Sequence, residues 1–393
     1  MIAKRSLFFL ANAFIFIPSF LSAQSHFKKE SIFPTQNKHV HSSSIVEAAN
    51  GDLLVCWFYG SGERTADDVL VQGARLKKGA TQWSPVFLMA DTPGFPDCNP
   101  MLFIDPNQKL WLFWIVVQAN RWEQSILKYK TSVDYLGDGP PKWSWQDVIH
   151  LKPGEKFAQT VKNDFKKYAD EGMWAEYAPA YIDLLIEAAK DPVKRQIGWM
   201  TRCHPTVLPS GRILLPLYSD GYCLGLAAIS DDAGQTWRAS GPMVGLGLNQ
   251  PTIVRKKDGN LVAYLRDEGV LPQRVLQSIS TDDGETWSYA TDTEIPNPAS
   301  SLEVIVLKNS NWLMIFNDTE DGRHSLAAAL SDDEGKTWKW KKHIALTEFG
   351  KASFSYPSVI QTKDGMLHVT YSFTDGTNKT IKHVTFDEKW VKN

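Results

Sequence analysis

Six positions, four of them able to donate, accept or move a proton, recur at one place relative to six short hairpins. His41, Asn99, His204, Gln250, Glu303 and Tyr356 each stand a few residues ahead of an apolar run that turns back on itself at Asn, Asp, Ser or Gly. Behind the second run come Arg64, Asp67 and Asp68, then Arg121 and Trp122, then Asp220, Arg266 with Asp267, and Asp318 with Arg323. Acid, base and cation are all represented. An acid and a base placed together can move a proton onto a leaving group and off a nucleophile. Arginines add a clamp for a carboxylate. With no Cys-x-x-Cys pair, no His-Glu-x-x-His and nine scattered His, neither a catalytic metal nor any other cofactor is expected.

Each candidate also has a structural reading. Tyr356, followed by Pro357, could pack a central channel, and Asp67 or Asp68 could cap a turn. Arg266 beside Asp267 and Arg323 near Asp318 could close loops as ion pairs, while His41 and His204 could be hydrogen-bonded loop residues. Trp122 could stack on a sugar; Trp57 and Trp114 fit an inter-blade core better.

The elements that must position these residues are repeats. Ser230-Asp-Asp-Ala-Gly-Gln-Thr-Trp237 returns as Ser280-Thr-Asp-Asp-Gly-Glu-Thr-Trp287 and Ser331-Asp-Asp-Glu-Gly-Lys-Thr-Trp338, 50 and 51 residues apart, with degenerate copies ending at Trp83 and Trp143. The hairpins form a second repeat, out of phase with the first, turning near Gly51, Asn107, Gly211, Gly259, Ser310 and Gly365. Four strands per unit and six units make an all-β fold, a six-bladed β-propeller. With strands lettered A to D outward from the axis, the hairpins are A-B turns and the boxes C-D turns on one face. The B-C and D-A loops lie on the other, which puts the candidate residues at the mouth of the axis. The box Asp is expected to hold a tight turn, with calcium binding as the alternative. From about 153 to 196 the pattern becomes helical, with Phe157, Val161, Phe165 and Tyr168 on one stripe and Ile182, Leu185, Ile186 and Ala189 on another. This helical insertion between blades two and three reads as a lid or wall of the site, or else as a dimer contact.

Composition fits this picture. Of 393 residues, 43% are hydrophobic, 15 are Trp and the net charge is -2, which gives no cationic field for nucleic acid. Lys4 and Arg5, the apolar run Leu7 to Phe20 and Leu21-Ser22-Ala23 read as a signal peptide over residues 1–23, leaving 24–393 as a single propeller domain with no membrane span, exported to the periplasm or the cell exterior. Four cysteines permit two disulfides without specifying a pairing.

The boxes resemble those of the sialidase or neuraminidase superfamily (BNR or Asp-box proteins), over about residues 38 to 387, and the chain is similar to its bacterial neuraminidase-like branch. That resemblance implies a Tyr nucleophile eight residues before the last Asp-Gly turn, where Tyr356 precedes Asp364. A neutral phenol approaches an anionic sugar without repulsion. It implies clamp arginines at Arg266, eight after Asp258, and Arg323, eight before Ser331, and an acid/base Asp in the first B-C loop, at Asp67 or Asp68. Two positions depart from the pattern. His41 replaces the first clamp Arg, and would add charge only below about pH 6.5. Gln250 replaces the Glu that polarises the Tyr, which makes Glu303 the candidate supporting carboxylate. Arg64, Asp267, Asp318 and His204 complete the expected substrate-binding set. The resemblance implies an exo-glycoside hydrolase acting on a terminal, acidic sugar of a glycan. A non-catalytic glycan-binding propeller and a lyase acting on uronic acids are the alternatives.

Overall fold

The computed structural model describes residues 25–168, 179–269 and 271–393; the segment read as a signal peptide lies outside them, as do some residues of the insertion. Six antiparallel sheets follow the chain. Blade one is built from His39–Glu47, Leu53–Gly60, Leu70–Leu76 and Phe87–Ala90, and blade two from Asp97–Ile104, Leu110–Val117, Ser125–Ser132 and Trp145–Val148. Blade three has a broken inner strand, Met200–Thr201 and Thr206–Val207, followed by Ile213–Ser219, Leu224–Ser230 and Arg238–Ala239. Blade four comprises Leu248–Arg255, Leu261–Asp267, Arg274–Ser280 and Thr291–Pro296, and blade five Glu303–Val306, Trp312–Phe316, Ser325–Ser331 and Trp340–Leu346. Blade six takes Ser353–Gln361, Leu367–Asp375 and Asn378–Phe386 from the end of the chain and its outer strand, Phe27–Ser31, from the beginning, pairing Phe27 with Phe386. The six-bladed propeller is therefore closed by a seam between the two ends. That closure explains why six hairpins accompany only five boxes: blade six has no C-D turn.

The boxes do structural work on the face away from the site. In each, the Asp carboxylate accepts from the Thr backbone N–H at 2.9 Å and from the Thr hydroxyl, for Asp232, Asp282 and Asp333 alike. The box Gly adopts a positive φ, and at Gly335 a Cβ would come 2.2 Å from Tyr264 Oη of the preceding blade. The box Trp packs between blades, as Trp338 does edge-on to Tyr264 at 6.1 Å. Trp57 and Trp114 are fully buried core residues.

The insertion lies between strand D of blade two and strand A of blade three. Its helices α1 (Glu155–Tyr168) and α2 (Pro179–Lys190) bury Phe157, Val161 and Phe165 against Ile182, Leu185, Ile186 and Ala189 in the same core as Trp199 and Tyr222. Buried Arg195 ties them together, donating to Pro153 O at 2.7 Å and to the α2 carbonyls of Ala189 and Lys190, and pairing with Glu155. All four cysteines are free, so no disulfide staples the domain.

Candidate active site

A repeated bulge aims side chains at the axis. The inner strands of blades one, two, four and six slip register between His41 and Ser44, Cys98 and Met101, Asn249 and Thr252, and Ser355 and Ser358. At each slip one non-glycine residue takes a positive φ: Ser42 at 55°, Asn99 at 47°, Gln250 at 49° and Tyr356 at 55°. Left-handed backbone at a non-glycine residue costs free energy, and four copies around one mouth make this rim the candidate site.

Tyr356 is the hub. Its oxygen accepts from Arg266 Nη1 at 3.0 Å and from Gln250 Nε2 at 3.0 Å. Gln250 Nε2 also reaches the buried Tyr218 hydroxyl at 3.2 Å, which accepts from Asn99 Nδ2 at 2.9 Å. Gln250 Oε1 faces Arg266 Nη1 at 3.5 Å, so the amide is oriented as a donor to both phenols. The Arg323 guanidinium lies 5.6 Å from the Tyr356 ring centre and donates to Ala299 O at 2.7 Å. Burial, and the Arg266 charge beside it, lower its affinity for a proton even though the Tyr356 oxygen works the other way.

A third guanidinium escaped the sequence reading. The Arg202 guanidinium, on a residue 2% exposed, lies 5.0 Å from the Tyr356 ring centre and donates through Nη2 to Pro357 O at 2.5 Å. Its Nε and Nη1 have no partner among the described residues, an arrangement that a bound anion would satisfy. It was missed because the inner strand of blade three runs from Thr201, opposite Leu217, to Thr206, opposite Leu214, two residues more than the other bulges. Counting back from the hairpin therefore stops at His204.

His41 packs on Tyr356 with ring centres 4.1 Å apart. Burial, with His39, Arg323 and Arg202 close by, holds its pKa well below the usual 6.5 against the pull of Glu63. Its ring is thus an aromatic neighbour of Tyr356, and the lowered pKa runs against the acid-range charge that its sequence position suggests.

Glu303 is not brought to Tyr356. Its Oε1 accepts from the His204 backbone N–H at 2.9 Å and lies 2.8 Å from His204 Nδ1, while Oε2 accepts from Val359 N at 2.8 Å. His204 Nε2 continues to Ile45 O at 3.0 Å. Burial opposes the charge on both partners, but their attraction prevails, lowering the Glu303 pKa and raising that of His204. This pair ties blades five, three, six and one together across the channel.

The remaining expected residues divide between rim and scaffold. Asp68 accepts from Ser61 N and Oγ and pairs with Lys38, capping the first B-C loop. Asp67, exposed as Asp68 is, accepts from Asn120 Nδ2 at 3.1 Å. The carboxylate of this loop whose charge bears on the ring is Glu63, 3.0 Å from His39 and felt by His41 and Arg323; its pKa is lowered to about 2, since His39 and nearby cations outweigh burial. Arg64 stacks over Trp122 at 5.5 Å. Asp267 accepts from the backbone of Gly269 and Arg274, and burial raises its pKa to about 6. Asp318 is taken up by Ser325, Lys341 and His343. Both are loop scaffolding.

Comparison with known proteins follows the same lines. The family model described as BNR repeat-like domain matches residues 51–183 and 187–369, and the chain belongs to that family, within the sialidase and BNR superfamily. A sialidase of Micromonospora viridifaciens is 27% identical over 176 residues, which is 42% of this chain and 26% of that protein; the match thus takes in about a quarter of that relative's length. Among solved structures, a protein of unknown function from Dyadobacter fermentans superposes with a TM-score of 0.67 at 16% identity, over 92% of this chain and 99% of its own. The NanB sialidase from Streptococcus pneumoniae also gives 0.67, at 11% identity, over 92% of this chain and 71% of its own. At these identities the structures share the fold alone.

Proposed function

We propose that the protein is an exported, sialidase-like exo-glycoside hydrolase that removes a terminal acidic sugar from a glycan. The observation that carries this reading is the Tyr356 oxygen, accepting N–H bonds from Arg266 and Gln250 with the guanidiniums of Arg202 and Arg323 beside its ring. In the proposed reaction Tyr356 attacks the anomeric carbon as a phenolate, held by the N–H donors of Arg266 and Gln250, while the bond to the leaving oxygen breaks and protonated Asp67 gives its proton to that oxygen; the later attack by water returns Tyr356 as phenolate. Water then releases the sugar from Tyr356, with Asp67 accepting its proton. Arg266 offsets the negative charge on the attacking oxygen, and Arg323 and Arg202 hold the sugar carboxylate. The test is product analysis on sialosides, uronides and neutral oligosaccharides. Release of a free acidic sugar by the wild type and not by Tyr356→Phe supports the reading, whereas an unsaturated uronide product would indicate a lyase. One observation favours a second reading: Gln250 donates to Tyr356 where a carboxylate would accept its proton, as a non-catalytic glycan-binding propeller would allow. Binding of an acidic sugar without any product would establish it.

A further inference from the structure

At the seam the repeat leaves an opening on the face away from Tyr356. Elsewhere the box Gly rests on the preceding blade: a Cβ on Gly234 would lie 2.5 Å from Trp111, and one on Gly284 3.0 Å from Leu214. Trp111 and Leu214 are the second residues of the strands Leu110–Val117 and Ile213–Ser219. Blade one meets blade six differently. Counting back from Trp83, Lys78 holds the place of the box Asp and Ala80 that of the box Gly, while the second residue of the strand Leu367–Asp375 is His368. A Cβ on Gly79, in this turn, would meet nothing within 4 Å. Between the turn, the A-B hairpins of blades one and six and the strand Phe27–Ser31 lies a cavity of about 320 Å³, at the small end of the range in which proteins hold small molecules.

A polar relay ends in that cavity. Glu30 Oε1 lies 3.0 Å from His383 Nδ1, and His383 Nε2 lies 3.0 Å from His368 Nδ1. The bond to His383 lowers the Glu30 pKa to about 2, so this carboxylate only accepts. Burial holds both imidazoles below their usual 6.5, and with the His383 charge brings His368 down to about 4. His383 therefore donates through Nδ1 to Glu30 and accepts at Nε2 from the His368 Nδ1–H. The Thr385 hydroxyl also reaches His368 Nδ1, at 3.3 Å. That leaves His368 Nε2 as an acceptor with no partner among the described residues. The charges around it are unevenly used. Glu30 is also paired with Lys28, Glu47 accepts from the Lys363 backbone N–H at 2.8 Å, and Asp364 accepts from Thr362 Oγ1 and Met366 N. Lys363 Nζ meets only the Ala49 carbonyl, at 2.9 Å, and neither it nor Lys78 has a carboxylate partner among the described residues. An occupant that completes the cavity brings an acid group for these lysines and a hydroxyl for the nitrogen.

We propose that this cavity is a ligand site for a small hydroxylated anion, of the size of a single sugar carrying a carboxylate or a phosphate, whose acid group pairs with Lys78 and Lys363 and whose hydroxyl donates to His368 Nε2. The site is separate from the ring at Tyr356 and independent of what that ring does. It is built from the two ends of the chain, since Glu30 comes from the first strand and His368 and His383 from the last blade.

The test is NMR on protein labelled at the histidine Cε1 positions, in which the His368 signal, identified by its loss in His368→Leu, reports on this cavity alone. Glucuronate, glucose 6-phosphate, glucose and inorganic sulfate are titrated near neutral pH into the wild type, Lys78→Ala and Arg202→Met, with a thermal melt on each variant to confirm folding. The expected result is a saturable shift of the His368 signal with at least one of the two acidic sugars, weakened about tenfold by Lys78→Ala, the effect of one charge-assisted bond, and unchanged by Arg202→Met. Glucose, which lacks the acid group, should bind at least about tenfold more weakly. A signal unmoved by both acidic sugars, or moved as readily by glucose, overturns the site, and so does an affinity that Lys78→Ala leaves untouched. Sulfate binding as tightly as the sugars would overturn the hydroxyl bond to His368. A loss with Arg202→Met as large as with Lys78→Ala would place the ligand at the ring instead. Cleavage of glycosides, present or absent, bears on Tyr356 and leaves each of these outcomes standing.

Discussion

Replacing Glu303 with Gln should cost stability and spare the chemistry. The carboxylate takes three donors, His204 N, His204 Nδ1 and Val359 N, at 2.8 to 2.9 Å, in a position 1% exposed. A Gln amide has one oxygen, so its NH2 must face either Val359 N or the two His204 donors, and at least one buried N–H loses its partner at about 1–3 kcal/mol. The charge-assisted bond to His204 is lost as well, roughly 1.5–3 kcal/mol more. Together these give about 3–5 kcal/mol, and at about 2 °C per kcal/mol for a large domain the melting temperature should fall by roughly 6–10 °C. The pH dependence has a definite sign. Glu303 lies below its usual 4.5, so its share of stability is present above that pH and is lost as pH falls through the folded value. His204 lies above its usual 6.5, so its share is present below that pH and is lost as pH rises through the folded value. The gap between wild type and variant should therefore be widest near pH 5.5 and shrink at pH 9 as at pH 3. Calorimetry across that range, with kcat measured well below both melts, is the assay. A variant that melts like the wild type yet loses kcat would refute the structural assignment and return Glu303 to the role of base for Tyr356.

Tyr356→Phe should lower kcat by about a thousandfold or more with an unchanged melt, because the ring still packs on His41 and only the oxygen is removed; wild-type turnover would remove the nucleophile. Arg202→Met should weaken an acidic ligand by about tenfold or more while leaving neutral probes unaffected, measured by calorimetric titration; equal loss for both would reduce Arg202 to packing. Asp333→Ala should lower the melting temperature and leave kcat/KM within about twofold, since the three bonds it loses lie on the opposite face. Glu30, bonded to His383 and Lys28 and lowered to about 2, contributes stability above its usual 4.5 that is lost as pH falls toward 2. The drop in melting temperature between pH 5 and pH 3 should therefore be smaller in Glu30→Gln.

The fold was legible because its units repeat: each box and hairpin is local chemistry that a reader can count. The same counting located Asn99, Gln250 and Tyr356, all of which occupy the bulge. It failed where a blade departs from the period. Arg202 sits in a bulge two residues longer than its siblings, and the only sequence cue is that His204-Pro205 matches Asn99-Pro100, Gln250-Pro251 and Tyr356-Pro357 while the arginine beside Tyr356 lies two residues earlier. The direction of Glu303 was also out of reach, since position ahead of a strand does not say whether a carboxylate faces the mouth or a neighbouring blade. Phe27–Ser31 gave no signal as a strand, because its partner lies at the other end of the chain and no turn joins them.

That seam sets a timetable. Ribosomes make the Phe27–Ser31 strand first and its partner, Asn378–Phe386, some 350 residues later, which at about 5–20 residues per second is a wait of roughly 20–70 s. Throughout it the first strand has an unsatisfied ladder, the kind of edge that recruits other chains. Its sequence, Phe-Lys-Lys-Glu-Ser, carries three consecutive charges where strands near the axis such as Leu53–Gly60, Leu110–Val117 and Ile213–Ser219 carry apolar runs. Those charges hold the early strand in water until the last blade arrives. The aromatic latch comes later still: Trp390 of the short helix Glu388–Lys392 stacks on Phe27 at 4.5 Å only after the strand Asn378–Phe386 has been made.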